Sequence, residues 1–325
     1  FNIPTICIGN ISVGGTGKTP HTEYLVNLLR NQYKVAVLSR GYKRHSRGYL
    51  LANEDSQARA IGDEPFQIKN KFSDIRVAVD ENRCHGIEQL LQLKDPEVDV
   101  ILLDDAFQHR YVKAGINILL TDYNRLFCED KLLPAGRLRE SRKGKNRAQI
   151  VIVTKCPADI KPIDFKIISK QLDLFPFQKL YFSTFQYGKL TPVFKNLEQT
   201  ERALSSIQAD EQILLLTGIA SPLTLVNELH NYTSHVDYLA FDDHHDFSAK
   251  DMELLHERFN QIKAEKKIIV TTEKDAARLL HHPALKNELK SYLYALPIEV
   301  KILQNQEKKF NQNIIGYVRE NKKNS

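Results

Sequence analysis

Short apolar runs alternate with longer stretches of helical period through the first half of the chain. Residues 3–8, 34–39, 77–79, 98–104, 117–122 and 149–154 are rich in Ile, Leu and Val. Runs with so few polar positions predict strands of a parallel sheet covered on both faces. Residues 18–30 and 82–93 carry helical spacing between them. From 179 to 194 the pattern changes to alternating aromatics, which predicts antiparallel or edge strands. A second series follows, with strands at 212–217, 236–241 and 267–272 and helices at 223–231 and 249–264. The predicted class is α/β, a mostly parallel sheet flanked by helices with a second, smaller α/β lobe. The predicted organisation is a core over 1–194, a polar linker over 195–210, the smaller lobe over 211–300, and a C-terminal helix and tail over 301–325.

Composition narrows the partners. Of the 325 residues, 42% are hydrophobic and 26% charged, which suits a globular chain and excludes a disordered one. No apolar run approaches the roughly 20 residues of a membrane-spanning helix. Cys7, Cys84, Cys128 and Cys156 form no CxxC pair, which excludes a zinc ribbon and predicts a reducing compartment. The net charge of +6 suits an acidic partner such as a nucleotide, phospholipid or phosphosugar without demanding nucleic acid. The sequence starts at Phe1 and its only Met is Met252, so the natural N-terminus is expected upstream. Residues 320–325 read as a frayed tail.

The strongest chemical signal is Gly14-Gly15-Thr16-Gly17-Lys18-Thr19-Pro20, between a predicted strand and a predicted helix. A loop of this kind turns successive N–H groups toward phosphate oxygens. Glycines permit the positive dihedrals and close approach, and the helix N-terminus adds a favourable dipole. Ser12, Val13, Gly14, Gly15, Thr16, Gly17, Lys18 and Thr19 are therefore the candidate nucleotide-binding residues. Lys18 would reach the β- and γ-phosphates, and the Thr19 hydroxyl would ligate Mg²⁺. Pro20 fits the first helical turn. Ser12 departs from the pattern, which has glycine there. The bland alternative is a glycine-rich turn with a solvated lysine, but the strand–loop–helix context favours a phosphate-loop NTPase type of fold.

The run 98–104 ends in Asp104-Asp105. An acidic residue at such a strand end holds Mg²⁺ in phosphate-loop enzymes, and the carboxyl ends of the strands lie beside the loop. A helix cap or surface turn is the structural alternative for an Asp pair.

In sum these residues resemble the tetraacyldisaccharide 4'-kinase family. Residues 9–20 look like its phosphate loop, with Ser12 where that family tolerates a hydroxyl. Four further motifs agree in order: Ser39-Arg40-Gly41-Tyr42, Gly62-Asp63-Glu64-Pro65, Asp104-Asp105-Ala106-Phe107-Gln108-His109 and Leu133-Pro134-Ala135-Gly136-Arg137-Leu138-Arg139-Glu140. The second lobe adds Asp243-His244 and Thr272-Glu273-Lys274-Asp275-Ala276. Ala106 stands where Gly is usual, Arg137 where Pro is common, and Ser141 where Pro often follows.

The resemblance implies transfer of the γ-phosphoryl of ATP, with Mg²⁺, to the 4'-hydroxyl of an acylated glucosamine disaccharide 1-phosphate in lipid A biosynthesis. It implies work at the cytoplasmic face of the bacterial inner membrane, against the lipid surface, with any hydrophobic anchor helix upstream. No nucleic acid and no obligate protein partner are expected. Asp63, read as lying in a loop, becomes the candidate base, paired with His244. Glu64 joins Thr19, Asp104 and Asp105 as a candidate Mg²⁺ ligand. Residues 137–147 hold six positive charges and one negative. They read either as a solvated loop or as a clamp on anionic oxygens, with Arg139 the leading candidate beside Lys18. Arg40, Lys43, Arg44 and Arg47 form a second basic stretch that would suit a phosphosugar or anionic lipid. Asp242-Asp243-His244-His245-Asp246 has metal-ligand composition, but neighbours on an extended stretch point apart. Thr272 reads as a helix cap. The rival class is a regulatory or metal-delivery NTPase without a lipid acceptor, faintly supported by Thr154-Lys155 at a strand end.

Overall fold

The computed structural model describes residues 1–194, 199–219, 222–242 and 245–322. The first elements are β1 (Thr5–Gly9), α1 (Lys18–Leu29), β2 (Val35–Ser39), β3 (Leu50–Leu51), α2 (Ala58–Ile61), α3 (Asp63–Lys71), β4 (Arg76–Val79) and α4 (Arg83–Leu91). They continue with β5 (Val100–Asp104), β6 (Ile116–Asp122), β7 (Ile150–Thr154), α5 (Pro162–Leu172) and β8 (Lys179–Tyr187). Next come β9 (Thr191–Pro192), β10 (Gln212–Thr217), α6 (Pro222–Leu229), β11 (Val236–Ala240), α7 (Ala249–Gln261) and β12 (Lys267–Thr272). The chain ends with α8 (Glu273–Leu279), α9 (Asn287–Lys290), β13 (Leu293–Leu296), β14 (Ile298–Ile302) and α10 (Glu307–Lys322). Two units result: Phe1–Gln186 with Glu299–Ser325, and Tyr187–Ile298.

The first unit holds a nine-stranded sheet among the described residues, in the order β14-β8-β7-β6-β1-β5-β2-β4-β3. From β4 through β8 the neighbouring strands pair in parallel, while the two outermost strands run antiparallel, the short β3 to β4 and β14 to β8. The apolar runs are continuous because both faces are covered. Ile6, Ile8, Val37 and Leu102 meet α1, α3 and α10 through Leu25, Ile68, Phe310 and Ile314. Cys7, Leu38, Leu103 and Leu119 pack with Ile87 and Leu90 of α4 and Ile168 and Leu172 of α5. Burial of each such side chain contributes roughly 1.5–3 kcal/mol. The register sets Ile8 opposite Asp104, so the end of β1 and the aspartate pair lie together at the carboxyl ends of neighbouring central strands.

The second unit has its own five-stranded sheet among the described residues, β11-β10-β12-β13-β9, parallel except for β9. It also has its own cores. Leu215, Val226 and Val270 lie on one side, and Leu214, Met252, Leu255 and Phe259 on the other. Its entry and exit run together, with Gly188 N donating to Pro297 O at 3.0 Å.

Three features differ from the sequence reading. The aromatic run forms β8, which is not an edge strand: it is parallel to β7 on one side and antiparallel to β14 on the other. Helices cover both its faces: Phe310 of α10 meets Tyr181 edge-on at 5.0 Å, and Phe165 of α5 meets Phe182 at 4.7 Å. The second unit begins at Tyr187, and the described part of the expected linker packs within it, with Leu204 and Ile207 in its core. The last helix extends to Lys322, beyond the start of the expected tail. Among the described residues no helix is long and apolar enough to cross a membrane.

Candidate active site

The loop over residues 10–17 leaves a strand that is buried throughout and ends in Gly17, the cap residue of α1, at φ 83. A Cβ there would meet Phe185 Cζ at 2.6 Å, so both dihedral and space require glycine. His21, one turn into α1, is buried; its Nδ1–H donates to Gly17 O at 2.7 Å and its Nε2 accepts from the Ser183 hydroxyl at 2.9 Å. Burial outweighs the Gly17 hydrogen bond and lowers the His21 pKa to about 4, so the imidazole is neutral at pH 7. Buried Asn10 donates from Nδ2 to Thr16 Oγ1 at 2.8 Å, and Thr154 Oγ1 donates to Thr16 O at 2.9 Å. Around Gly15 a Cβ would meet nothing within 4 Å, so that side of the loop is open.

The loop is also paired from outside. Val13 N donates to Arg137 O at 2.7 Å and Arg139 N to Ile11 O at 2.8 Å. Ser12 bridges Leu138 in this antiparallel contact and is not among the positive-φ residues, which explains why serine can replace glycine there. No sequence signal predicted the pairing.

Lys18 is the first residue of α1, its side chain 14% exposed, with Nζ 3.8 Å from Asp105 Oδ2. Thr19 follows it, partly exposed. The two aspartates have different surroundings. Asp104 is fully buried and accepts from Thr22 Oγ1 at 3.0 Å and Ser39 Oγ at 3.4 Å. Burial, and then the charge of Asp105, push its pKa above the usual carboxylate range. Asp105 adopts φ 45, is about a third exposed, and pairs with Arg139 at 3.1 Å as well as with Lys18. Buried Arg83 donates to Asp80 O at 2.7 Å and Asp104 O at 3.3 Å, holding the turn; burial lowers its pKa. A magnesium ion shared with phosphates needs only one or two carboxylates, and the oxygen donors of Thr19, Asp104 and Asp105 fit such an ion.

Much of the basic run 137–147 is bound into the protein, through Arg139, Arg142, Lys145 and Arg147. Arg142 donates to Asp130 O at 2.8 Å, and Arg147 to Glu140 at 2.8 Å and Phe107 O at 3.1 Å, lying over the Phe107 ring. Arg139 donates to Asn10 O at 3.1 Å and to Asn10 Oδ1. Gln108 donates to Asn10 O at 2.6 Å and to Glu140 at 3.1 Å. Burial opposes ionisation of Glu140, but its bonds from Arg147 and Gln108 prevail and hold its pKa below the ordinary value. Sequence reading passed over Asn10, Gln108 and Glu140 as site residues, although each stands inside a quoted motif.

Asp63 and Glu64 do not lie in a loop: they open α3, after Gly62 at φ 94. A Cβ on Gly62 would sit 3.1 Å from Tyr42 O and 3.2 Å from Gly41 Cα, so the start of α3 packs on the loop that carries Arg40. In the basic stretch, Arg44 pairs with Glu81 at 2.6 Å. Lys155 pairs with Asp122 at 2.8 Å.

In the second unit, Thr272 caps α8 by accepting from Asp275 N at 3.1 Å. Buried Asp275 accepts from Thr272 Oγ1 at 2.7 Å and Gly218 N at 3.0 Å, tying this motif to the end of β10. Asp243 and His244 lie outside the described residues. His245 pairs with Asp251 at 2.9 Å.

A glycine loop joining a buried parallel strand to a helix, with a lysine at the helix start and carboxylates at the end of the next strand, defines a phosphate-loop α/β protein. Within that class, a family model described as Tetraacyldisaccharide-1-P 4'-kinase matches residues 1–319, and the chain belongs to this family. The tetraacyldisaccharide 4'-kinase of Bacteroides fragilis strain YCH46 is 67% identical over all of this chain and 86% of its own length. That of Porphyromonas gingivalis strain ATCC 33277 is 44% identical over 99% of this chain and 90% of its own. The crystal structure of LpxK from Aquifex aeolicus in complex with ATP matches with a TM-score of 0.72 and 27% identity, covering 98% of this chain and 89% of that one.

Proposed function

We propose that this chain is an ATP-dependent kinase that phosphorylates the 4'-hydroxyl of a tetraacyldisaccharide 1-phosphate in lipid A biosynthesis. The observation that carries the reading is the phosphate loop with Lys18 beside Asp105 in a chain whose family model spans residues 1–319. Residues 12–19 hold the phosphates through backbone N–H groups and Lys18. Thr19, Asp104, Asp105 and Glu64 would hold Mg²⁺, which when bound offsets charge on the phosphates. Arg139 fixes Asp105 and the Asn10 carbonyl, so it keeps the carboxylate aimed while the loop keeps its shape. Asp63 orients the acceptor hydroxyl and takes its proton late in transfer, and His244 assists it. The acceptor is amphiphilic and ATP is cytoplasmic, which supports action on the cytoplasmic face of the inner membrane.

Turnover of labelled ATP with and without the glycolipid acceptor tests the reading. Acceptor-dependent transfer is expected, and hydrolysis indifferent to acceptor would favour the regulatory NTPase. Asp63→Ala and His244→Ala should each cut turnover more than ATP affinity, and the double variant should be little worse than the worse single one. Fully multiplicative losses would separate His244 from Asp63.

A further inference from the structure

Arg137 and Arg139 stand two positions apart in one motif, and the fold gives them opposite surroundings. The Arg139 guanidinium is taken up by Asn10 and Asp105. Arg137 is held by its backbone instead: its N–H donates to Asp130 Oδ1 at 3.1 Å and its carbonyl accepts from Val13 N at 2.7 Å. Its side chain then lies along the phosphate loop, with Nη1 3.9 Å from where a Cβ on Gly14 would sit. Gly14 is itself fixed, at φ 107, its carbonyl accepting from Thr16 N at 3.1 Å and, at longer range, from Asn10 Nδ2 at 3.5 Å. Among the described residues the Arg137 guanidinium has no ion pair or hydrogen bond, and the residue is exposed. An unpaired guanidinium beside a row of backbone N–H groups adds positive potential where the loop is open, at Gly15.

We propose that Arg137 grips the terminal phosphates of bound ATP and stabilises the charge on the γ-phosphoryl group in transit. The inference rests on the proposed kinase reading. In the transfer the bond from the γ-phosphorus to the β–γ bridging oxygen breaks, and a bond to the acceptor oxygen forms. The acceptor's proton passes to Asp63 and ADP leaves; Arg137 supplies charge and exchanges no atoms. Arginine suits this because its planar fork meets phosphate oxygens in pairs.

Side-chain variants leave the backbone bonds to Asp130 and Val13 available. Arg137→Met should lower kcat/KM for ATP by roughly 10–100-fold, the usual worth of a charged hydrogen bond. ATP binding should weaken more than ADP binding, the acceptor KM should not move, and Arg137→Lys should recover part of the loss. Lys18→Ala, measured alongside, reports on the loop itself. If Lys18→Ala loses transfer while Arg137→Met keeps wild-type kcat/KM for ATP, the inference is overturned and the kinase reading stands. A loss confined to the acceptor KM also overturns it, because the guanidinium would then serve the acceptor. If Lys18→Ala leaves ATP binding and turnover intact, the phosphate-loop reading fails and the inference with it.

Discussion

Single side chains at the site are tuned against the protein's own stability. Asp104 is enclosed, and burial together with Asp105 raises its pKa. For a carboxyl raised in the folded state, the stability it contributes is present at low pH and lost as pH rises through the folded pKa. Asp104→Asn keeps an acceptor for Thr22 and removes the buried charge. It should stabilise the nucleotide-free protein at pH 8 by roughly 1–3 kcal/mol while cutting turnover at least tenfold. Melting curves at pH 5 and pH 8 should show the advantage shrinking toward acid; a constant difference would mean that Asp104 ionises without penalty. His21 acts in the other direction. The unfolded chain protonates it near 6.5, whereas the folded protein resists until about 4. Stability is therefore lost as pH falls through that window, by about 3 kcal/mol. His21→Gln should be less stable at neutral pH yet flatter in urea midpoint between pH 6.5 and 4.

Among the elements, the segment over 130–139 is the one whose rigidity reaches the chemistry. Asp130 pins its base: it accepts from Arg125 at 2.8 and 3.0 Å and from the backbone N–H groups of Lys131 and Arg137 at 2.8 and 3.1 Å. The Arg125 hydrogen bonds, with those N–H groups, lower its pKa to about 2. Its contribution is present above the ordinary value of 3.8 and lost as pH falls toward 2. Because residues 137–139 pair with residues 11–13, loosening this segment should loosen the phosphate loop. Asp130→Ala should raise the KM for ATP several-fold and, by loosening the backbone, let trypsin cut at the already exposed Lys131 and Arg137. An unchanged KM with rapid cleavage would show that the phosphate loop keeps its shape without this support.

At the scale of the molecule, the second unit is an insertion. It enters after β8 and leaves into β14, neighbouring strands of one sheet, and Leu303 N donates to Phe182 O at 2.8 Å across them. Each unit buries its own apolar clusters, which is the requirement for folding alone. Replacing residues 187–298 by a short Gly/Ser linker should therefore leave a folded first unit that melts cooperatively and binds ATP. If His244 has its proposed role, that shortened chain should not transfer phosphate. A first unit that fails to fold would show that its sheet depends on the insertion.

Features that depend on neighbours along the chain were legible in the residues alone. Apolar runs became strands because a doubly covered sheet needs them, and the glycine–lysine–threonine spacing became a phosphate loop because its dihedrals are local. Gly62-Asp63-Glu64-Pro65 also carries a helix-start signal, with acidic residues and proline in the first turn, but glycine and proline mark loops as often as helix starts. The rest follows from contacts between residues far apart in the chain. β8 lies inside the sheet because β14, far along the chain, pairs on its outer side. Arg139 drew attention as a clamp on phosphate, yet its guanidinium is occupied by Asn10 and Asp105 while that of Arg137 lies unpaired beside Gly14. Two arginines in one motif look alike in sequence because charge is a property of the residue. Whether that charge is neutralised depends on partners that only the fold brings near.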